Sequence, residues 1–341
     1  MKESARANRI VSQVNSNRLD IARNIPLQTP LVIYVEPSGY CNLKCSFCMH
    51  GVPGVTIKKD MMSTALFRKL IDDLQEFPEK IKLLRVCGNG EPLLNPELPA
   101  MLEYASSSDK IERVELISNG ILLNQRLVDV LPSFLQRMII SVEGLNAEDY
   151  LRISGVEINF DRFVDWVKAF FHQRRDCTLH IKIHNEAVET EARKERFFSL
   201  FQSCADEIFI ENLVPMWPEL NIECQTQLCR YDGLLIPKQI CAQIFKGFQV
   251  QADGDAVPCC VDWQRKNLIG NLHRESLAAI WRGEILLNLQ LEHLRRRKNE
   301  LDPCRVCTMN DYCEIDNVDA CAGELLLRLE RMRTSGVSEL K

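Results

Sequence analysis

Three cysteines, Cys41, Cys45 and Cys48, stand close together in the stretch Tyr40-Cys41-Asn42-Leu43-Lys44-Cys45-Ser46-Phe47-Cys48-Met49-His50. Thiolates are soft donors that bind zinc or iron, so three on one short segment point to a metal. A tetrahedral zinc or a fully ligated iron–sulfur cluster takes four protein ligands. The next cysteine, Cys87, falls in a different predicted strand. The local set is therefore one ligand short, which leaves a position open for another molecule. A second group of cysteines runs from Cys241 through Cys259, Cys260, Cys304, Cys307 and Cys313 to Cys321. Between the two groups, Cys87, Cys177 and Cys204 read as core residues, the usual place of a lone free cysteine. Cys224 and Cys229 lie in a connecting stretch.

The elements that position these thiols follow from the hydrophobic pattern. Leu31 to Val35 is an apolar run that reads as a buried strand, so the first cysteine group sits on a loop past its C-terminal end. Ser63 caps a predicted helix with apolar residues at Leu66, Phe67, Leu70, Ile71 and Leu74. Strand and helix patterns then alternate: Lys82–Cys87, Pro96–Ser106, Val114–Ser118, Asn124–Leu135, Met138–Glu143, Phe160–His172, Thr178–His184, Thr190–Ser203 and Glu207–Leu213. With the opening strand this makes six βα-type repeats, short of the eight of a complete barrel. Residues 1–30 read as an amphipathic helix and linker, 31–230 as the barrel, 235–325 as a second module and 326–341 as a C-terminal helix or tail. The prolines Pro215, Pro218 and Pro237 mark the break in rhythm.

Composition excludes several classes. The 341 residues are 46% hydrophobic with a net charge of −5, an ordinary globular balance that argues against a nucleic-acid partner. The basic run Arg295-Arg296-Arg297-Lys298 reads as a solvated helix end. No apolar segment reaches the roughly 20 residues that cross a bilayer, and the N-terminus lacks a signal-peptide pattern. A cytoplasmic protein is expected, in which the 15 cysteines serve metal chemistry rather than disulfides.

The spacing Cys-x3-Cys-x2-Cys with Phe47 before the last cysteine resembles the signature of the radical S-adenosylmethionine (SAM) enzymes. The resemblance implies a [4Fe–4S] cluster on Cys41, Cys45 and Cys48 whose free iron is chelated by SAM, and cleavage of SAM to a 5′-deoxyadenosyl radical. It also implies an α/β fold, a partial (β/α)6 TIM-type barrel. Gly88-Asn89-Gly90-Glu91-Pro92 resembles the family's Gly-Gly-Glu-Pro, with Asn89 in place of a glycine and Glu91 implied to hold SAM's amino group. Ser118-Asn119-Gly120 resembles Thr-Asn-Gly, and Ser141-Val142-Glu143-Gly144 resembles Ser-x-Asp-Gly, which contacts the ribose and carboxylate. Arg152 is either a partner for that carboxylate or a solvent-facing residue, and Lys182 and His184 are candidates to face a substrate.

The second module resembles the SPASM/twitch extensions, which bind auxiliary [4Fe–4S] clusters. The two-cluster pattern needs a cysteine where this chain has Asn317. The single-cluster twitch form, found in the aminocyclitol dehydrogenase of butirosin biosynthesis, needs only Cys241, Cys259, Cys304 and Cys307. One auxiliary cluster is therefore expected, with a structural zinc at the same sulfurs as the alternative. Cys260 and Cys313 are left as possible hydrogen donors, and Cys321 has no role. The expected reaction is dehydrogenation or epimerisation of a hydroxylated small molecule such as a sugar or aminocyclitol, since the segment before the first strand is too short for a peptide-recognition domain. A maturase acting on a ribosomal peptide or protein side chain is the alternative, and an electron-transfer protein without SAM is disfavoured by Glu91. A flavodoxin or ferredoxin is the expected reducing partner.

Overall fold

A computed structural model describes residues 7–10, 19–217, 220, 228–231 and 233–334. The strand and helix patterns alternate as expected through β2 (Val32–Val35), α2 (Thr64–Asp73), β3 (Leu83–Val86), α3 (Leu98–Ser106), β4 (Val114–Ser118), α4 (Gln125–Val130), β5 (Arg137–Val142), α5 (Ala147–Ser154), α6 (Phe160–Gln173), β6 (Thr178–His184), α7 (Glu191–Phe201) and β7 (Glu207–Glu211). Capping fixes the helix starts: Ser63, Asn124, Asn146, Asn159 and Thr190 each accept a bond from a backbone N–H of the first turn. The helix expected over Asn124–Leu135 is α-helical to Val130 and continues as a 3-10 turn over Leu131–Ser133, because Pro132 has no N–H to extend the α-helical ladder.

These six parallel strands are flanked by further pairings: a hairpin around Gly254 is expected from the sequence, whereas the pairings of β1 with β7 and of β8 with β2 are not. Before them come β1 (Asn8–Arg9) and α1 (Ile21–Asn24), and after them β8 (Gly247–Val250), β9 (Asp255–Val257) and β10 (Gly270–Asn271). The sheet order is β1-β7-β6-β5-β4-β3-β2-β8-β9-β10, parallel from β1 to β8 and antiparallel beyond. The N-terminal segment was expected to be helical up to its linker. Asn8 and Arg9 instead pair with Glu207 and Ile208, and the described helix is the single turn of α1. Val11 and Val14, part of that expected helix, lie outside the described residues. Ile21 and Ile25 are buried in a core formed with α9 (Glu284–Leu294) and α11 (Ala322–Thr334), so this turn belongs with the C-terminal module. Between β10 and α9 lies α8 (Leu277–Trp281), and α10 (Met309–Tyr312) precedes α11.

The two faces of the sheet have opposite character. Ile33, Val35, Leu84, Val86, Leu116, Ile140, Val142, Ile181 and Ile183 join the main core with Phe67, Leu70, Leu102 and Phe170 of the helices. The alternate positions, Tyr34, Arg85, Glu115, Lys182, Glu211 and Gln249, put polar groups on the inner face, as the two-residue period of strands requires. Glu115 is fully buried there and is held by Arg85 at 2.5 Å and Arg137 at 3.3 Å.

The auxiliary module is joined to the barrel where β8 lies beside β2. A Cβ on Gly247 would stand 1.9 Å from the Val32 carbonyl oxygen, so no side chain fits in that junction. Gly247→Ala should therefore lower the unfolding free energy by roughly 2 to 3 kcal/mol, as overpacking does. Gly323→Ala, whose Cβ meets open space on α11, should leave it unchanged or raise it by up to ~1 kcal/mol. Urea unfolding of both variants checks the pair, and equal stabilities would contradict a tight junction.

Candidate active site

The first cysteine loop leaves the C-terminal end of β2 and is pinned to α5 by backbone bonds from Lys44 N to Ser154 O (2.8 Å) and Ser46 N to Ile153 O (2.9 Å). Its exit is a tight turn: a Cβ on Gly51 would meet the Cys45 carbonyl at 2.2 Å. Cys45 is buried, and Cys41 and Cys48 are half-buried. Burial pushes the Cys41 thiol up to about 12, aided by Glu91 and Cys48, and raises Cys45 and Cys48 as well. Thiols in that setting ionise when a cationic centre joins them, which is the behaviour of a metal-ligand set.

Glu91 stands next to this loop. Its carboxylate accepts from Ser118 Oγ (2.7 Å), Leu93 N (2.9 Å) and Asn119 N (2.8 Å). Burial raises its pKa against the pull of those three bonds. A carboxylate offers about four acceptor sites, so one is left for an ammonium group. The loop that carries it is fixed by close approach: a Cβ on Gly88 would be 2.6 Å from the Glu36 side chain, and one on Gly90 would be 2.2 Å from the Ser38 carbonyl. Asn89 lies between these two positions; its N–H donates to Glu36 at 2.7 Å and its carbonyl meets His50 Nε2 at 2.8 Å. Glu36 also accepts from the Ala252 N–H, at 3.5 Å, tying this loop to the turn after β8. Burial pushes Glu36 up to about 7.

A cavity of about 190 Å³ opens at the ends of β5, β6 and β7 and is lined by Phe47, Cys48, Ser141, Glu143, Lys182 and His184 among others. Its floor is ionic: Glu211 takes Lys182 at 2.6 Å and Arg230 at 2.8 Å. Burial opposes ionisation of Glu211, but the two cations hold it down at about 2. Burial also raises Glu143 to about 7 and lowers His184 to about 4. The His184 ring packs against Phe47 at 4.6 Å, and neither of its nitrogens has a hydrogen-bond partner among the described residues.

Cys241, Cys259, Cys304 and Cys307 line a second, apolar-walled cavity between the β8–β9 hairpin and the segment before α10. Burial and mutual repulsion raise the thiols of Cys241, Cys259 and Cys304. Among the described residues no three His, Cys, Asp or Glu side chains close on a point where a single ion would sit. Cys260 does not line this cavity and stands near Arg230, Arg85 and Cys87, and Cys313 lies within hydrogen-bonding reach of Arg230.

Two family models match the chain: the radical SAM superfamily over residues 35–192 and the SPASM iron–sulfur cluster-binding domain over residues 241–308. The chain is a radical SAM protein with a C-terminal SPASM domain. Radical SAM enzymes use SAM and a [4Fe–4S] cluster, and SPASM domains bind auxiliary iron–sulfur clusters. The GTP 3′,8-cyclase of Chlorobaculum tepidum is 27% identical over 153 residues, 45% of this chain and 43% of the relative. The AdoMet-dependent heme synthase of Methanosarcina barkeri is 29% identical over 134 residues, 39% of this chain and 37% of the relative. The chain thus spans less than half the length of these curated relatives. Among solved structures it is similar to BtrN in complex with AdoMet and 2-DOIA (TM-score 0.53, 17% identity, 81% of this chain and 92% of that one). It is also similar to Streptococcus suis SuiB bound to the precursor peptide SuiA (0.62, 15%, 86% and 73%) and to anSMEcpe with bound AdoMet (0.60, 14%, 91% and 100%). At these identities the likeness is one of fold, the partial barrel with its SPASM module.

The radical SAM barrel brings most of the expected residues together. Phe47, Cys48, Ser141 and Glu143 share the first cavity, and Asn119 bonds Glu91 and, through its side chain at 2.8 Å, Asn42 of the cysteine loop. Arg152 is not brought in: its side chain is exposed and bonds Asp149 at 3.3 Å. Cys87 is not a core residue as expected; it continues the inner-face phase of Arg85 and faces Tyr34 and Cys260. Cys177 and Cys204 do join the core, Cys321 packs on the second one, and Cys224 lies outside the described residues. Neither Cys260 nor Cys313 lines the first cavity. Glu36, Glu211 and Arg230 were missed. The first two sit at or just past strand ends in the inner-facing phase, a signal the sequence carries. Arg230 reaches the site from a turn held between Asn212 and Tyr312, which no local pattern encodes.

Replacing Glu211 by Gln leaves two buried cations around a neutral amide and should cost roughly 3 to 5 kcal/mol at pH 7. Its folded pKa lies below the ordinary 4.5, so its ionisation supports the fold above pH 4.5, and that support fades as pH falls towards about 2. The stability gap between wild type and Glu211→Gln should narrow across that window in denaturant titrations. A gap that stays constant with pH would disprove the ionic floor.

Proposed function

We propose that this radical SAM enzyme abstracts hydrogen from a hydroxylated small molecule, a sugar, aminocyclitol or related intermediate, and oxidises it, acting in the cytoplasm. The observation that carries the reading is the half-open cavity in which Cys48 and Phe47 meet the charged and polar groups of Lys182, Glu143, His184 and the Glu211 floor. Its size suits a small polar molecule. The donor set fits the groups the family uses: three thiols on one loop, and beside them a carboxylate with one acceptor site to spare. In this reading Cys41, Cys45 and Cys48 hold the first cluster, Glu91 takes the ammonium of SAM, and Ser141 and Glu143 take its ribose and carboxylate. When bound, these cofactors supply the radical that removes a hydrogen atom from substrate. Cys241, Cys259, Cys304 and Cys307 hold the auxiliary cluster.

The chain's own residues then bind and orient. Lys182 keeps ammonium protons beyond the one it gives Glu211, and can donate to a substrate oxygen. His184 is neutral near pH 7, so an unprotonated ring nitrogen can accept from a hydroxyl. Epimerisation requires a hydrogen donor on the opposite face of the substrate. The placing of Cys260 and Cys313 outside the cavity supports dehydrogenation over it.

Anaerobic reconstitution should load about eight irons per chain, as two four-iron clusters require, and about four in a Cys41→Ala/Cys45→Ala/Cys48→Ala variant. With SAM and dithionite the wild type should release 5′-deoxyadenosine and the variant should not. Deuterium at one carbinol position of a polyol substrate should pass into that product without solvent deuterium entering the oxidised one. Label transfer from a peptide and from no polyol would overturn the substrate class, and no SAM cleavage at all would overturn the reaction.

A further inference from the structure

The basic run after α9 divides on inspection of its partners. Arg295 and Arg297 are spent on Glu292 and Glu330 at 2.8 to 3.1 Å. Arg296 adopts a left-handed backbone, φ 63°, and its guanidinium bonds the Gln239 side chain and the Asp319 carbonyl. Lys298 donates to the Cys307 carbonyl at 3.2 Å, and Lys238 to the carbonyls of Asn310 and Glu314 at 2.9 and 2.7 Å. Among the described residues none of these three cations is in an ion pair with a carboxylate; their acceptors are neutral. With Arg305, whose guanidinium is paired with Asp302 at 2.5 Å, and with Lys238 buried at its wall, they line one open cleft of about 520 Å³. Asp311 is the carboxylate in its lining, and it already accepts from the Lys238 N–H at 2.9 Å. The cleft lining is thus net positive, with Arg296 and Lys298 as its cations without a carboxylate partner at the surface, on a chain of net charge −5.

Its position gives that charge a use. Cys307 and Lys298 line both the cleft and the inner cavity that holds Cys241, Cys259 and Cys304, so one layer of residues separates solvent from the thiol quartet. Val306, between the quartet cysteines Cys304 and Cys307, is 44% exposed and offers an apolar contact within the cationic rim. An apolar centre ringed by charge of one sign suits a transient partner of opposite charge.

We propose that this cleft is the docking surface for an acidic one-electron carrier protein that exchanges its electron with the auxiliary site through Cys307. The proposal rests on the auxiliary-cluster reading above. The exchange moves one electron between carrier and cluster and makes or breaks no bond. Were a cluster held by the quartet to take the one electron that dehydrogenation releases after hydrogen abstraction, with the proton passing to solvent, the cleft would let that electron leave without crossing the substrate cavity.

The test uses the full-length Cys41→Ala/Cys45→Ala/Cys48→Ala protein, so that any iron present is auxiliary, with and without Arg296→Glu/Arg305→Glu. Reduced flavodoxin, an acidic carrier, is mixed anaerobically in stopped flow, with methyl viologen radical cation as a reductant of opposite charge. The rate constant with flavodoxin should fall steeply with salt, and the charge reversal should lower it roughly ten-fold or more and flatten the salt slope. The viologen rate should stay equal or rise. Arg296→Gln/Arg305→Gln, which adds no repulsion, should give an intermediate loss, and circular dichroism checks folding. Iron present with equal flavodoxin rates and slopes in all forms would overturn the docking surface alone. No iron in the triple variant would overturn the auxiliary-cluster reading and the docking proposal with it.

Discussion

The parallel pairing of β8 with β2 is the contact on which both halves of the molecule depend. It makes the first barrel strand an interior strand, with β3 on one side and the auxiliary module on the other. The cysteine loop therefore leaves β2 between the loop that carries Glu91 and the hairpin that carries Cys259. Glu36, just past β2, reaches both neighbours through the backbone N–H groups of Asn89 and Ala252. A single glycine, Gly247, keeps the spacing because any side chain there would meet the Val32 carbonyl.

The second constraint is the polarity of the inner face. A closed eight-stranded barrel fills its interior with branched apolar side chains. Here the same positions hold Glu115, Arg85, Lys182 and Glu211, and each carboxylate is shared by two cations. Breaking one such contact leaves a buried charge exposed to a low dielectric, so the network is more costly to disturb than its net stabilisation suggests. It also gives the cavity a rigid polar floor at the strand ends, where a substrate needs fixed donors.

Much of this was legible in the chain. The six-strand rhythm follows from apolar alternation, and the gathering of three thiols on one loop past β2 from their spacing after an apolar run. The quartet Cys241, Cys259, Cys304 and Cys307 was named through the resemblance to the twitch form, and the four line one cavity. Cys87 was misread because lone cysteines are usually core, although its phase with Arg85 opposes that. Arg230 and β1 were not legible at all. Arg230 depends on a contact with Tyr312 distant in the chain, and Asn8-Arg9 has no apolar signal; register with β7 alone makes it a strand.

That two-residue strand has a consequence for solubility. An incomplete barrel leaves an edge, and an uncovered β7 would offer its backbone to any extended chain, the usual start of aggregation. β1 occupies part of that row of donors and acceptors, and Arg9 adds a charged side chain stacked over Phe198 at 3.8 Å and paired with Glu195 at 3.3 Å. Among the described residues the fold keeps one side of the sheet open and covers part of its exposed edge with a short, charged strap.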